Sequence, residues 1–268
     1  MEYSVGIDIG ASYIKAGLVD EKYNIEMRKQ VKAPKGYKGI LEEVINLIEN
    51  ILTKRERISN IGIGVPGLID KNGKILFCDN LDIENEDMVK DIENRIKRKV
   101  YIENDADCAL IGEYLDGAAK GYDNVLMLTL GTGIGSSVLM NGQMLLGTEL
   151  GHMTICLEGK ECTCGSRGCL EAYCKSHMME NDGDKKKVND YVKALTAGIR
   201  NGILAYDPEI VILGGGISSY GDKLINLINY EMNNYGYDYR LGKAKIKTAS
   251  LLNDAGIVGA SSLNLFKR

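Results

Sequence analysis

From Tyr3 to Ile9 apolar residues alternate loosely and run into Asp8-Ile9-Gly10, which predicts a strand ending in a tight turn. Ile14 to Val19 reads as the returning strand and Asn24 to Lys32 as a third. Leu41, Val44, Ile45, Ile48, Ile51 and Leu52 recur at helical spacing and predict one buried helix face. Ile58 to Val65 is β-rich and stops at the turn signal Pro66-Gly67. A polar helix is expected over Glu86 to Arg98, then a short strand over Val100 to Ile102. Asn104-Asp105 can cap a helix running to about Ala119.

The second half begins the same way. Val125 to Leu130 predicts a strand, Gly131-Thr132-Gly133-Ile134-Gly135 a glycine turn, and Ser136 to Met140 a returning strand. Val5 to Gly10 and Leu126 to Gly131 share this strand–turn–strand pattern, which suggests an internal duplication. A Gly- and Cys-rich loop follows from Leu146 to Cys169. Val188, Tyr191, Val192, Leu195, Ile199 and Ile203 mark a helix that Asp207-Pro208 ends. Glu209 to Leu213 reads as a buried strand entering Gly214-Gly215-Gly216, and a helix from about Asp254 closes the chain. The pattern is α/β, with a domain boundary expected near residue 120.

Composition narrows the class. The 268 residues are 44% hydrophobic and 26% charged, enough for one large core or two small ones. Lys+Arg 33 against Asp+Glu 37 leaves a net charge of −4, which argues against general nucleic-acid or membrane-surface binding. No apolar run approaches the ~18 residues of a membrane span. Met1-Glu2-Tyr3-Ser4-Val5 shows no basic stretch before an apolar one, so no signal peptide is expected and the chain is read as cytoplasmic. An odd count of 7 cysteines fits a reducing compartment.

Five of those cysteines fall between residues 156 and 174, a clustering that points to metal rather than cross-links. Cys162, Cys164 and Cys169 supply three thiolates in one tight loop, and His152 lies ten positions before Cys162. Three Cys and one His are a standard closed set for structural zinc. The alternative is free thiols in a flexible loop. Glu149 and Glu171 flank these ligands, and a loop fixed by metal would hold both carboxylates still, as suits hydrogen bonding to sugar hydroxyls. The alternative is that both are solvated.

Two glycine turns could accept phosphate, and a third glycine run could approach a nucleotide. Asp8-x-Gly10-x-Ser12-x-x-Lys15 places a carboxylate beside a turn lined by backbone amides, and such a carboxylate can hold Mg²⁺ through water. Gly131-Thr132-Gly133-Ile134-Gly135 offers a second amide-lined turn, and Gly214-Gly215-Gly216 lets a nucleotide approach backbone. Each taken alone is equally an ordinary tight turn, and neither a Walker loop nor G-x-G-x-x-G spacing is present. Asp105 reads either as a helix cap or as a general base.

In this order the motifs resemble the ROK family of sugar kinases and sugar-responsive repressors, within the actin/hexokinase superfamily, over nearly the whole chain. Asp8 to Lys15 is similar to the first phosphate loop, Gly64-Val65-Pro66-Gly67 to the sugar-side turn, and Asn104-Asp105-Ala106 to the catalytic segment. Leu130 to Gly135 resembles the second phosphate loop, and Pro208 to Gly216 the nucleotide-side strand. Glu149-Leu150-Gly151-His152 and Cys162 to Ala172 resemble the family signature closely.

The resemblance implies a two-lobed actin/hexokinase-like (ribonuclease H-like) α/β fold with duplicated lobes and a zinc-binding loop. Residues 1–120, joined by the C-terminal helix over 253–268, would form the N-terminal lobe with the first phosphate loop and catalytic Asp. Residues 121–252 would form the C-terminal lobe with the second phosphate loop, zinc loop and nucleotide-side strand. Asp105 would be the catalytic base, and Gly67, Asn104, Asp105, Glu149, His152 and Glu171 would hold the sugar. Asp8, Gly10, Ser12, Lys15, Gly131, Thr132, Gly133, Gly135, Gly214, Gly215 and Gly216 would hold ATP and Mg²⁺. His152, Cys162, Cys164 and Cys169 would hold structural Zn²⁺, with the second ring nitrogen of His152 toward the sugar.

The implied activity is ATP-dependent phosphorylation of a hexose hydroxyl, glucose at C6, by a homodimer with neither nucleic acid nor membrane as partner. Kinases for N-acetylmannosamine, fructose or allose are the alternatives, as is a non-catalytic sugar- or nucleotide-binding member. Repressors of the family carry a winged helix before the first phosphate loop. That loop lies within ten residues of Met1, so a repressor is not expected. Four departures from the family pattern stand out. Tyr173 to Val188 is short and polar where most members carry additional helices. Ser136-Ser137 replaces the usual Gly and could crowd the nucleotide, Ala11 replaces a common Gly, and Asn80-Leu81-Asp82-Ile83 lacks the usual Pro-Gly-Trp.

Overall fold

The computed structural model describes residues 2–54, 57–176, 179, 184–234 and 243–266. The chain divides into two compact units, one of residues 1–117 with 253–268 and one of residues 118–252. His177, Met178 and residues 180–183 of the short polar stretch lie outside the described residues.

The first unit is built on β1 (Tyr3–Ile9), β2 (Tyr13–Asp20), β3 (Ile25–Lys32), β4 (Ile58–Val65) and β8 (Val100–Asn104), in the order β3-β2-β1-β4-β8. β1, β2 and β3 are antiparallel neighbours, whereas β4 and β8 run parallel to β1. A strand alternates its side chains between two faces, and β1 uses the two faces differently. Val5, Ile7 and Ile9 enter a core with Ile40, Val44 and Ile48 of α1 (Tyr37–Leu52) and Met88 and Ile92 of α2 (Met88–Ile96). Gly6 instead meets the carbonyl oxygen of Ile257, in α6 (Ala255–Ser261).

That closing helix lies on glycines. A Cβ added at Gly6, at Gly62 of β4, or at Gly112 of α3 (Asp105–Asp116) would strike the carbonyl of Ile257, Ala260 or Ala255. Backbone therefore packs on backbone, closer than any side chain allows. Asn60 fastens the end of the helix by donating from Nδ2 to the Ser261 carbonyl at 2.6 Å. Arg28 of β3 pairs with Asp254 just before its start, at 2.7 Å.

The second unit repeats the sheet plan with β9 (Val125–Leu130), β10 (Ile134–Met140), β11 (Gln143–Leu145), β12 (Ile210–Gly214) and β13 (Lys245–Thr248), ordered β11-β10-β9-β12-β13. Here too three antiparallel strands are followed by two that run parallel to the first. The suggested duplication is visible in this shared order. Leu126, Leu128 and Leu130 pack with Leu195, Ile199 and Ile203 of α4 (Lys185–Tyr206) and Leu224 and Ile228 of α5 (Gly221–Met232).

Several boundaries differ from expectation. The polar helix begins at Met88, not Glu86, because the Asp87 carboxylate caps it by accepting from Lys90 N–H. The helix after Asn104 ends at Asp116 with Gly117 as C-cap, short of Ala119. On α1 the buried set is Ile40, Val44, Ile45, Leu47, Ile48 and Ile51, so Leu41 and Leu52 sit at the margin of the face. A three-stranded sheet of β5 (Leu68–Ile69), β6 (Ile75–Cys78) and β7 (Ile83–Glu86) was not anticipated, because its strands are too short to show a period. Nor was α5, whose apolar stripe is narrow.

The glycine contacts carry a test. Gly62→Ala places a methyl group against a helix carbonyl that has no rotamer to yield, so it should destabilise by about 3 kcal/mol or more. Urea denaturation followed by circular dichroism measures this, and an unchanged midpoint would refute the close packing.

Candidate active site

In the first unit the candidate residues gather at one sheet edge. β1, β4 and β8 run parallel, and their registers pair Asp8 with Gly64 and Val65 with Asn104. Asp8, the Pro66-Gly67 turn and Asn104-Asp105 therefore lie together beyond the carboxyl ends of neighbouring parallel strands, where open α/β sheets bind ligands.

Asp8 follows Gly6 by two residues and shares its face, so its carboxylate comes to lie against Gly256 of α6. The side chain is 22% exposed, with Lys15 Nζ at 3.8 Å from Oδ2. Lys15 also donates to Asn253 Oδ1 at 3.4 Å. Burial raises the Asp8 pKa above the ordinary carboxylate value, and the Lys15 charge works in the opposite direction. The turn between β1 and β2 closes through Gly10 N–H to the Tyr13 carbonyl, and Ser12 is exposed.

Asn104 caps α3, accepting from Ala106 N–H at 2.8 Å, while its Nδ2 donates to the Gly67 carbonyl at 3.0 Å. Gly67 sits at φ 106°, and its missing side chain makes room for the Phe77 carbonyl and Cys78. One amide side chain thus fixes both the helix start and the Pro66-Gly67 turn. Asp105 stands at the first helical position, half-buried, and accepts from Ala106 N–H at 3.0 Å. Capping and availability for chemistry are compatible here, because Asn104 supplies the cap.

In the second unit Gly214 pairs with Thr129, so the glycine turns after β12 and β9 leave the sheet side by side. Gly131 N–H closes its turn on the Gly133 carbonyl at 3.0 Å, and Thr132 is exposed. Nothing lies within 4 Å of where side chains at Gly131 and Gly216 would be, so both turns are open. Gly135 lies in β10 beyond the turn, opposite Thr129. Ser137 is fully buried and Ser136 spends its hydroxyl on Thr148 and Leu150.

The loop from Thr148 to Glu171 contains the metal candidates. One ligand atom from each of His152, Cys162, Cys164 and Cys169 lies within 4.8 Å of the others. His152 Nδ1 is 3.6 Å from Cys162 Sγ, and Cys164 Sγ is 3.7 Å from Cys169 Sγ. The four can hold one metal ion. Behind the cluster the Tyr173 hydroxyl accepts from Lys160 N–H at 2.8 Å. Glu149 is exposed at the start of the turn carrying His152. Glu171 is anchored more firmly. Its Oε2 accepts from Ile134 N–H at 3.0 Å, while Oε1 has Thr163 Oγ1 and Lys175 Nζ each at 3.4 Å. The sequence reading missed Thr163, Lys175 and Gly256, which lack a spacing signature. Gly256 could have been found from the small-residue run Ala255-Gly256 at the start of a buried helix.

A family model described as ROK matches residues 4–267. The chain belongs to the ROK family. It is 31% identical over 305 residues to the glucokinase of Thermotoga maritima, covering 97% of this chain and 96% of that one. It is also 31% identical over 296 residues to the xylose repressor of Bacillus subtilis, covering 97% and 76% of the two chains. Among solved structures it is similar to a ROK family glucokinase from Streptomyces griseus in complex with glucose and AMPPNP. The TM-score is 0.84 at 28% identity, over 97% and 98% of the two chains. The two matching sheets are the actin/hexokinase-like architecture of the ROK family. No helix among the described residues is long and apolar enough to cross a membrane.

Asp8 allows a test of electrostatic cost in this ROK chain. A carboxyl whose pKa rises on folding binds its proton more tightly folded than unfolded, so its charge costs stability at neutral pH. The cost vanishes as pH falls toward 3.8, the ordinary value. Asp8→Asn should therefore raise the ligand-free Tm at pH 7, with the gain shrinking in acid. A lower Tm at pH 7 would show that the Lys15 pairing outweighs burial.

Proposed function

We propose that this ROK chain is an ATP-dependent hexose kinase and that glucose, phosphorylated at C6, is its substrate. One observation carries the reading: Asp8, the Gly67 turn and Asn104-Asp105 lie together at the carboxyl edge of three parallel strands. The likeness to a glucokinase crystallised with glucose and AMPPNP, over 97% of this chain, supports it.

Asp105 accepts the proton of the C6 hydroxyl while that oxygen attacks the γ-phosphorus. The new O–P bond forms as the bond to the β–γ bridging oxygen breaks, and ADP leaves with the electron pair. ATP with Mg²⁺ supplies the phosphoryl group and neutralises developing charge when bound. Asp8 holds the Mg²⁺ side, with Gly10, Ser12 and Lys15 at the first phosphate turn. Gly131, Thr132, Gly133 and Gly135 offer amides and a hydroxyl to the phosphates, and Gly214 to Gly216 an open backbone surface to the nucleotide. Gly67, Asn104, Glu149, His152 through Nε2, and Glu171 hold the sugar hydroxyls. Catalysis of this kind is positioning and charge neutralisation.

Residues 1–117 with 253–268 thus supply the catalytic carboxylate, and residues 118–252 the second phosphate turn and the metal loop. The metal in this reading is zinc. A tetrahedral ion with Zn–S near ~2.3 Å and Zn–N near ~2.1 Å sets ligand edges of about 3.8 Å and about 3.6 Å. The Cys164–Cys169 S···S and Cys162–His152 S···N separations are 3.7 and 3.6 Å, and all four ligand atoms lie within 4.8 Å of one another. Four protein ligands would close the coordination sphere of a zinc ion held there, so its role would be to fix the loop rather than to activate water.

The deciding experiment is ADP release from ATP-Mg²⁺ across a panel of hexoses and N-acetylhexosamines. Turnover with glucose supports the reading. Turnover with N-acetylmannosamine, fructose or allose keeps the kinase and replaces the substrate. Silence from folded, zinc-loaded protein leaves a non-catalytic sugar- or nucleotide-binding ROK protein. Asp105→Ala should lower kcat by at least about 10²-fold with sugar affinity nearly unchanged. Equal loss of binding and turnover would remove its role as base.

Metal analysis of pure protein should find one zinc per chain. Stripping it with a chelator should lower Tm and weaken glucose binding, because the loop carrying His152 and Glu171 loses its closure. Finding no zinc would dismiss the four-ligand site.

A further inference from the structure

Ser136 lies on β10, yet its hydroxyl serves the segment that carries Glu149 and His152. Ser136 Oγ donates to the Thr148 carbonyl at 2.9 Å and accepts from Leu150 N–H at 2.8 Å. Thr148 Oγ1 returns a hydrogen bond to the Ser136 carbonyl at 3.1 Å. Glu149 is thereby bracketed, since both of its chain neighbours are tied to one hydroxyl. The regular ladder cannot do this. β11 last pairs with β10 at Val138 and Leu145, and beyond that point side chains take over the pairing.

The bracket continues toward the metal loop. Gly151 packs on the Ile134 carbonyl, and His152 N–H donates to the Glu149 carbonyl at 3.0 Å, closing the turn. Ser136 is 6% exposed and Leu150 is 3% exposed, so water does not readily replace a lost bond.

We infer that Ser136 is a positioning residue for sugar binding, holding Glu149 and His152 at fixed separation from β10. The inference rests on the sugar-kinase reading above. Ser136→Ala leaves Thr148 carbonyl and Leu150 N–H unpaired while Glu149, His152 and all four metal ligands remain. The effect belongs on the sugar and not on the nucleotide, because the turn at Gly131 to Gly133 closes on its own backbone.

Zinc-loaded chains are titrated separately with glucose and with AMPPNP-Mg²⁺ by isothermal calorimetry, so no readout depends on turnover. Ser136→Ala should weaken glucose binding about tenfold and change AMPPNP affinity less than about twofold. Ser136→Thr, which keeps the hydroxyl, should recover most of the glucose affinity. Parallel losses for both ligands, no loss for glucose, an equal loss in Ser136→Thr, or a Ser136→Ala chain that does not fold would each make Ser136 a structural staple and overturn the inference. A wild-type chain that binds AMPPNP-Mg²⁺ but none of the panel sugars overturns the sugar reading, and this inference with it.

Discussion

The seat of the last helix on glycine backbone is the constraint that organises the first unit. Ala255–Ser261 has only 7 residues, too few to be stable as an isolated helix. It persists because Gly6, Gly62 and Gly112 let its backbone touch two strands and a helix at once. The same contact sets the chemistry. Bringing Gly256 against Asp8 takes that carboxylate partly out of water and raises its pKa. The helix also lies against α3, where the Cys108 carbonyl meets Gly259, so the element that begins with Asp105 is fixed by the same close packing. Burial pushes the Cys108 thiol well above its usual range, which suits packing and not reactivity.

The two units use one sheet plan for different chemistry. In the first, the carboxyl edge of the parallel strands presents Asp8 and Asn104-Asp105, groups that accept protons or draw cations. In the second, the equivalent edge presents glycine turns, which offer amides and no side-chain charge. The division follows the needs of phosphoryl transfer. A base must be a titratable side chain, whereas a phosphate cradle works best where backbone comes close. A duplicated scaffold supplies both by changing what stands at the ends of homologous strands.

Much of this was legible in the sequence, for reasons that can be stated residue by residue. Cys162, Cys164 and Cys169 announce themselves because three thiols fall close together in one short stretch, and the structure brings their sulfurs to His152. Long strands such as Val125–Leu130 show because their period is sustained. The glycine seat was not legible. Gly6 and Gly62 carry no pattern of their own, and only their partners Ile257 and Ala260, at the far end of the chain, explain them. Ser136 was legible as a departure from the family pattern, but the bonds of its hydroxyl to Thr148 and Leu150 were not. Long-range hydrogen bonds leave no periodicity to find.

Glu171 ties together candidate motifs that the sequence presents separately. It was expected only to hold hydroxyls, yet Oε2 accepts the amide of Ile134, in the strand that leaves the second glycine turn. Its other oxygen faces Thr163, which sits between the candidate metal ligands Cys162 and Cys164. A carboxylate so placed transmits position in both directions. If the metal loop loosens, Thr163 releases Oε1, and the Ile134 amide loses a fixed acceptor. If the glycine turn shifts, Glu171 follows it, and the surface offered to a hydroxyl changes. Lys175 at 3.4 Å pairs with the same oxygen that faces Thr163. Glu171 therefore links the loop of candidate metal ligands to the strand that leaves the glycine turn, while that turn still closes on its own backbone through Gly131 N–H.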